Sequence, residues 1–190
     1  MQNYNPNTTD PQEEQLIEVD ENDKIIGPVA RKVCHNETRK PWHRSTHAYL
    51  FNEKGELYFT QRSLSKDTAP GEWTISAGGH VNWGESYEEC VKNELKEELD
   101  LEANLDLIDT FTIDYGSERE IIALFAGVTE KKPTINTEET ERIKTFELED
   151  IIGKFQAGEF KLSGGSTHTF TRLIETGILK KFWEEKFIMN

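Results

Sequence analysis

Three glutamates, Glu94, Glu97 and Glu98, cluster in a segment where Tyr87, Val91, Leu95 and Leu99 recur every fourth residue. That recurrence predicts a helix from about Glu85 to Leu99 with a single apolar stripe. At about 100° per residue, Glu98 stands about 40° from the stripe, Glu94 about 80° and Glu97 about 140°. A merely solvated acidic face would lie opposite the stripe, where Glu85, Glu89 and Lys96 point. Glu94 and Glu98 instead border what the helix buries. Carboxylates at these spacings repel one another, and Glu97 and Glu98 sit near a helix C-terminus, where the macrodipole disfavours negative charge. A hard divalent cation offsets that repulsion. Mg²⁺ shared between carboxylates and substrate phosphates is the commonest arrangement of this kind, with Mn²⁺ as an alternative ion. Lys92 and Lys96 are the competing partners for the same carboxylates.

Such a helix needs a scaffold, and the flanking sequence supplies strand signals. Leu16 to Val19 and Ile25 to Val29, joined through Asp23, read as a hairpin. Ala48 to Phe51 and Leu57 to Thr60, joined by Asn52-Glu53-Lys54-Gly55-Glu56, form a clearer one. Further strands are expected near Leu105 to Ile113, Ile121 to Val128 and Arg142 to Phe146. Two closing helices are expected, one from about Leu148 to Phe155 and one running from after Ser166 through Leu179. Strands with interspersed helices and no internal linker imply an α/β sandwich with a mixed sheet, a single domain over residues 15–190. Residues 1–14 hold no apolar run and read as a disordered tail with no targeting signal.

Composition narrows the function classes. The formal charge of −14 argues against a nucleic-acid polymer as partner, because phosphate neutralisation needs a basic surface. It leaves a phosphate-bearing small molecule open, since metal ions bridge carboxylates to phosphates. No apolar stretch is long enough to span a membrane. The two cysteines, Cys34 and Cys90, make neither a thiolate zinc cluster nor a disulfide framework, which fits a cytoplasmic protein. A homodimer is compatible with all of this.

Gly79, Glu85, Glu94, Leu95, Glu97, Glu98 and Leu101 match the spacing of the Nudix box, and the chain resembles the Nudix hydrolase superfamily on that basis. Two positions depart from the pattern. Asn93 stands where the family has the arginine that pairs with the first glutamate, and Asp100 where it has the helix-ending glycine. Asp tolerates the required φ > 0 better than most residues. The resemblance implies that Glu94, Glu97, Glu98 and the Gly79 carbonyl hold Mg²⁺ against a diphosphate. Water then attacks phosphorus and one of these glutamates takes its proton.

A narrower resemblance covers roughly residues 16–160. Trp42-His43-Arg44, Leu50 to Leu57, Gln61 to Lys66 and Pro70 to Thr74 are similar to the isopentenyl-diphosphate isomerases of the same superfamily. It implies metal-binding and catalytic roles for His43, His80, Glu118 and Glu120, and a grip on the diphosphate for Arg62 and Lys66. His35 lies one residue out of register with a fifth ligand position. Two departures bear on the chemistry. The isomerases carry a cysteine where this chain has Gly78, and a late tryptophan where Leu162 to Ser166 has none.

Taken alone, the same residues have plainer readings. His43 and His80 can brace a strand edge and a loop, Arg62 and Lys66 can be surface cations, and Glu118 can be a solvated strand start, with Glu120 the better ligand. His47 and His168 read as structural, Cys90 as a small core residue, and Trp83 as either a pocket-mouth or a loop-capping residue. The resulting expectation is a Mg²⁺-dependent diphosphate hydrolase acting on a nucleoside diphosphate or related compound. An isomerase and a non-catalytic diphosphate-binding domain are the alternatives.

Overall fold

A computed structural model describes residues 10–36, 38–66, 68–116 and 118–189. Its strands are β1 (Gln15–Val19), β2 (Ile25–Ala30), β3 (Trp42–Asn52), β4 (Glu56–Arg62), β5 (Trp73–Thr74), β6 (Ala77–His80), β7 (Leu105–Tyr115), β8 (Glu118–Thr129) and β9 (Thr140–Glu147). The helices are α1 (Arg31–Cys34), α2 (Tyr87–Leu99), α3 (Leu148–Gln156), α4 (Gly164–Thr176) and α5 (Ile178–Phe187).

The strands make one mixed sheet. β3 is its hub, antiparallel to β1 and β6 and parallel to β8. β3 and β8 are buried almost throughout, and the unbroken run Ile121 to Phe125 is what a strand covered on both faces should show. Alternation then sorts the core. Tyr49, Phe51, Ile122 and Leu124 pack with α3, α4 and α5 on one face. Ala48, Leu50, Ala123 and Phe125 pack with Val91, Leu95 and Leu99 of α2 on the other.

One irregularity in the sheet makes room for the site. β3 and β4 pair only at their turn, Phe51 with Leu57. Beyond that they splay, and β6 enters the gap to pair with β3 alone among the described residues. A cavity of roughly 560 Å³ opens around the edge of β6 and draws side chains from both faces of the sheet.

Several expectations need correction. The single late helix is two, because Gly177 adopts a left-handed φ of 69° that ends α4 and starts α5. β5, β6 and α1 were not expected. Of the tail, residues 1–9 lie outside the described residues, but Asp10 is buried and its carboxylate meets Lys66 Nζ at 2.6 Å. No helix among the described residues is long and apolar enough to cross a membrane.

Candidate active site

The α2 helix is fixed at both ends by local chemistry. Ser86 accepts from the Glu89 backbone N–H while the Glu89 carboxylate accepts from the Ser86 N–H, a reciprocal cap that satisfies two otherwise orphaned donors. At the other end Asp100 takes the left-handed conformation, φ 50°, in the place where a glycine was missing. The loop before the helix is braced as its sequence allows. The Asn93 amide donates to Glu85 Oε1 at 2.9 Å, and the Asn82 N–H donates to Glu85 Oε2 at 3.1 Å.

This anchoring brings Glu94, Glu97 and Glu98 to one wall of the cavity. Lys96 also lines the cavity and pairs with Asp100. Burial, with the neighbouring carboxylates Glu98 and Glu97, holds the Glu94 carboxyl well above its usual range. Burial likewise pushes Glu98 up to about 7, although the Gly78 N–H donates to its Oε1 at 3.4 Å. A pair of buried carboxyls without a cation is therefore only partly ionised. Gly79 must be glycine for this wall to form, since a Cβ there would stand 2.1 Å from Glu94 Oε1.

On the other side of β6 lies a second cluster. The β3–β8 register sets His43 beside Glu120, and the β3–β6 register sets Ser45 beside His80. Ligand atoms of His35, His43, His80 and Glu118 all lie within 4.8 Å of one another. His43 is fully buried, and its Nδ1–H donates to the Pro41 carbonyl at 3.2 Å. Its Nε2 faces Glu120 Oε1 at 4.0 Å and has no hydrogen-bond partner among the described residues. Burial depresses His43 to about 3, so the imidazole is neutral with a free lone pair, the form a metal ion takes. The residues present fit a divalent metal at this cluster as well as at the glutamates.

Glu118 is buried in this cluster and is no solvated strand start. His35 joins it despite its register, because the α1 turn ends on it and carries its ring to 5.0 Å from that of His80. Glu120 is buried beside Glu118, which pushes it up to about 8, and Tyr115 donates to it at 3.0 Å. His80 Nε2 lies 3.7 Å from Glu120, and Arg31 Nη1 lies 3.2 Å from His80 Nδ1.

Arg62 and Lys66 line the same cavity. Lys66 is held by Asp10 at 2.6 Å and Glu139 at 2.5 Å, and Arg62 donates to the Thr68 carbonyl at 2.9 Å. Cys90 is buried, yet also lines the cavity, with its Sγ 3.5 Å from the His80 carbonyl. Trp83 is exposed and is not among the described lining residues, which include no tryptophan. Sequence reasoning missed Arg31, Tyr115 and Glu139, whose roles rest on contacts distant in the chain. It also set aside His47, although alternation from His43 along one strand places it on the same face.

A mixed sheet between helices, with the glutamate box seated at its split, defines the class: the chain belongs to the Nudix family, whose NUDIX domain model matches residues 41–163. Among individual relatives, the isopentenyl-diphosphate Delta-isomerase of Salmonella arizonae is 33% identical over 159 residues, 80% of this chain and 86% of that one. The crystal structure of DR0079 from Deinococcus radiodurans matches with a TM-score of 0.71 at 25% identity, covering 84% of this chain and 98% of that one. The MutT protein of Methanosarcina mazei Go1 shares the fold with a TM-score of 0.60 at 24% identity, over 72% and 95% of the two chains.

Proposed function

We propose that the protein is a divalent-metal-dependent hydrolase that cleaves the diphosphate linkage of a nucleoside diphosphate or related compound by attack of water at phosphorus. The observation that carries this reading is the complete glutamate wall standing next to a glycine at position 78. A Cβ on Gly78 would lie 2.3 Å from the Thr46 carbonyl oxygen, so this backbone has no room for the thiol an allylic proton transfer would use. Cys90 does not replace it, because burial raises its pKa far above that of a reactive thiol.

The residues divide the work by position. Glu94, Glu97, Glu98 and the Gly79 carbonyl would hold Mg²⁺, or Mn²⁺ as an alternative, which supplies neutralisation of phosphate charge and acidification of water. One carboxylate of this wall accepts the proton of the attacking water. Arg62 and Lys66 meet the phosphate groups, with Lys66 sharing its charge among Asp10, Glu139 and substrate. Water oxygen bonds to phosphorus, the bridging P–O bond breaks, and the leaving phosphate departs with the electron pair.

A second reading, isopentenyl-diphosphate isomerisation, is favoured by the His35, His43, His80 and Glu118 cluster beside Glu120 and Tyr115. The names of the sequence relatives point the same way. Isotopes separate the two. With Mg²⁺ and a panel of diphosphates in ¹⁸O water, label is expected on released phosphate. With isopentenyl diphosphate in deuterated water, no carbon-bound deuterium is expected, and its appearance at a catalytic rate would overturn the hydrolase assignment.

A further inference from the structure

His47 sits on β3 opposite Gly78 of β6 and lines the same cavity as Arg62, Lys66 and the glutamate wall, and the reaction outlined above gives it no task. Its ring is oriented by two glycines. Cδ2 lies 3.2 Å from where a Gly78 Cβ would stand, and Cε1 lies 3.7 Å from where a Gly165 Cβ would stand. Nε2 is bonded to both of those carbons, so the edge that carries it faces the Gly78 and Gly165 backbone, where the Tyr115 hydroxyl stands 2.8 Å from the same Gly165 Cβ position and a side chain at either glycine would crowd the cavity wall that His47 lines.

The opposite edge fixes the tautomer. His47 Nδ1 lies 3.1 Å from Thr169 Oγ1. Of the three neighbours of Thr169 Oγ1, the Ser166 carbonyl at 3.2 Å is the one that can only accept, so the Thr169 proton is assigned to it; the buried Tyr49 hydroxyl lies 2.7 Å from the same Oγ1. Thr169 Oγ1 is thus left to accept, and His47 Nδ1 carries the hydrogen. Burial and the charge of Arg62 depress the imidazole to about 3. Nε2 is therefore a neutral acceptor with no protein partner among the described residues.

The neighbouring wall has the same bias. Thr74 and Ser166 hydroxyls lie 2.6 Å apart, with Ser163 Oγ 3.2 Å from Ser166 Oγ. Each hydroxyl has one proton and two lone pairs, so hydroxyls bonded to one another keep acceptor capacity to spare. A hydrocarbon seated here would strip water from these acceptors and return nothing.

We propose that His47 is a specificity-determining residue whose Nε2 accepts a hydrogen bond from a hydroxyl or N–H of the substrate's organic group, selecting a donor-bearing group over a hydrocarbon chain. This rests on the hydrolase reading only in taking the cavity as the diphosphate site. Binding of methylene-bridged, non-hydrolysable probes tests it without turnover. Four are used with Mg²⁺: a nucleoside methylenediphosphonate, its 2′,3′-dideoxy form, a prenyl methylenediphosphonate, and methylenediphosphonate alone.

The nucleoside probe should bind at least about tenfold tighter than the prenyl probe. His47→Phe should reduce that preference to within about threefold, and His47→Gln, which keeps an acceptor, should recover most of it. Methylenediphosphonate alone reports whether each variant retains a formed site, and its affinity should change little. If the dideoxy probe loses the preference, the sugar hydroxyls are the donors; if it keeps a preference that His47→Phe removes, the base N–H is.

Equal or tighter binding of the prenyl probe by the unaltered protein overturns the proposal, as does a preference indifferent to His47→Phe. So does failure of every probe to bind. Selective binding combined with no cleavage of the hydrolysable counterparts would refute the hydrolase reading and leave the role of His47 standing.

Discussion

The chemistry of single residues here is governed by how burial and like charge set protonation, and that makes a pH-dependent stability in which two groups of residues act in opposite directions. Glu98 is pushed up to about 7 and Glu120 to about 8 from an ordinary 4.5, both chiefly by burial. In metal-free protein the native state therefore keeps protons that the unfolded chain has shed, and stability falls as pH rises toward 8. His43 and His47 act the other way. Buried neutral, with pKa near 3 against an ordinary 6.5, they shed protons that the unfolded chain still binds, so stability is lost as pH falls below 6.5. Between pH 4.5 and 6.5 the two contributions offset one another, so melting temperature in chelator is expected to decline above 6.5, where the glutamates act unopposed, and below 4.5, where the histidines do. Glu98→Gln should flatten the alkaline decline and lower Mg²⁺-supported turnover by at least about 10²-fold. An alkaline limb that steepens in Glu98→Gln would mean that its carboxylate is a structural partner rather than a charge awaiting a cation.

Elements, not residues, decide where these groups meet, and the tightest constraint is the crossing of β6 over α2. Gly79→Ala places a Cβ 2.1 Å from Glu94 Oε1, so the carboxylate has to leave the cavity wall. Turnover is expected to fall by about 10²-fold, with weakened Mg²⁺ binding in calorimetry and a fold that circular dichroism cannot distinguish from the parent. Unchanged Mg²⁺ affinity in this variant would place Glu94 outside the metal site. The α2 helix was the most legible element because its periodicity and its Asp100 end are written within the segment, although the Ser86 cap that starts it was not read there. Both hairpins were legible for the same reason, with alternating apolar runs bracketing turn residues. β6 was not: Ala77-Gly78-Gly79-His80 has no alternation, and it becomes a strand only because β3 and β4 splay and leave a vacant ladder. The break at Gly177 was hidden by apolar spacing that continues in phase through Ile178 and Leu179. His35 looked misplaced by one residue because counting along the chain cannot see the turn that α1 inserts before it.

At the scale of the whole molecule, the acids and imidazoles of the two clusters come from β3, β6, α2 and β8 and from His35, the residue that caps α1. Neither cluster is complete before the chain folds, so any ion they bind stabilises the native state by mass action, by about 2.7 kcal/mol at a concentration 100 times its dissociation constant. The two clusters differ in donor chemistry. Carboxylates and a carbonyl on the α2 side suit a hard ion such as Mg²⁺, whereas imidazoles on the β8 side suit a transition metal. In a chain of net charge −14, either ion also relieves repulsion that the metal-free fold has to bear. Thermal melts should therefore separate two increments, one given by Mg²⁺ and an additional one given by Mn²⁺ or Zn²⁺. Glu97→Gln should remove most of the Mg²⁺ increment and spare the second; His43→Gln should do the reverse, since His43 touches the imidazole cluster and not the glutamate wall. Loss of both increments in His43→Gln would show that the ions share a single site spanning β6, and the division of labour between the two faces of the sheet would have to be abandoned.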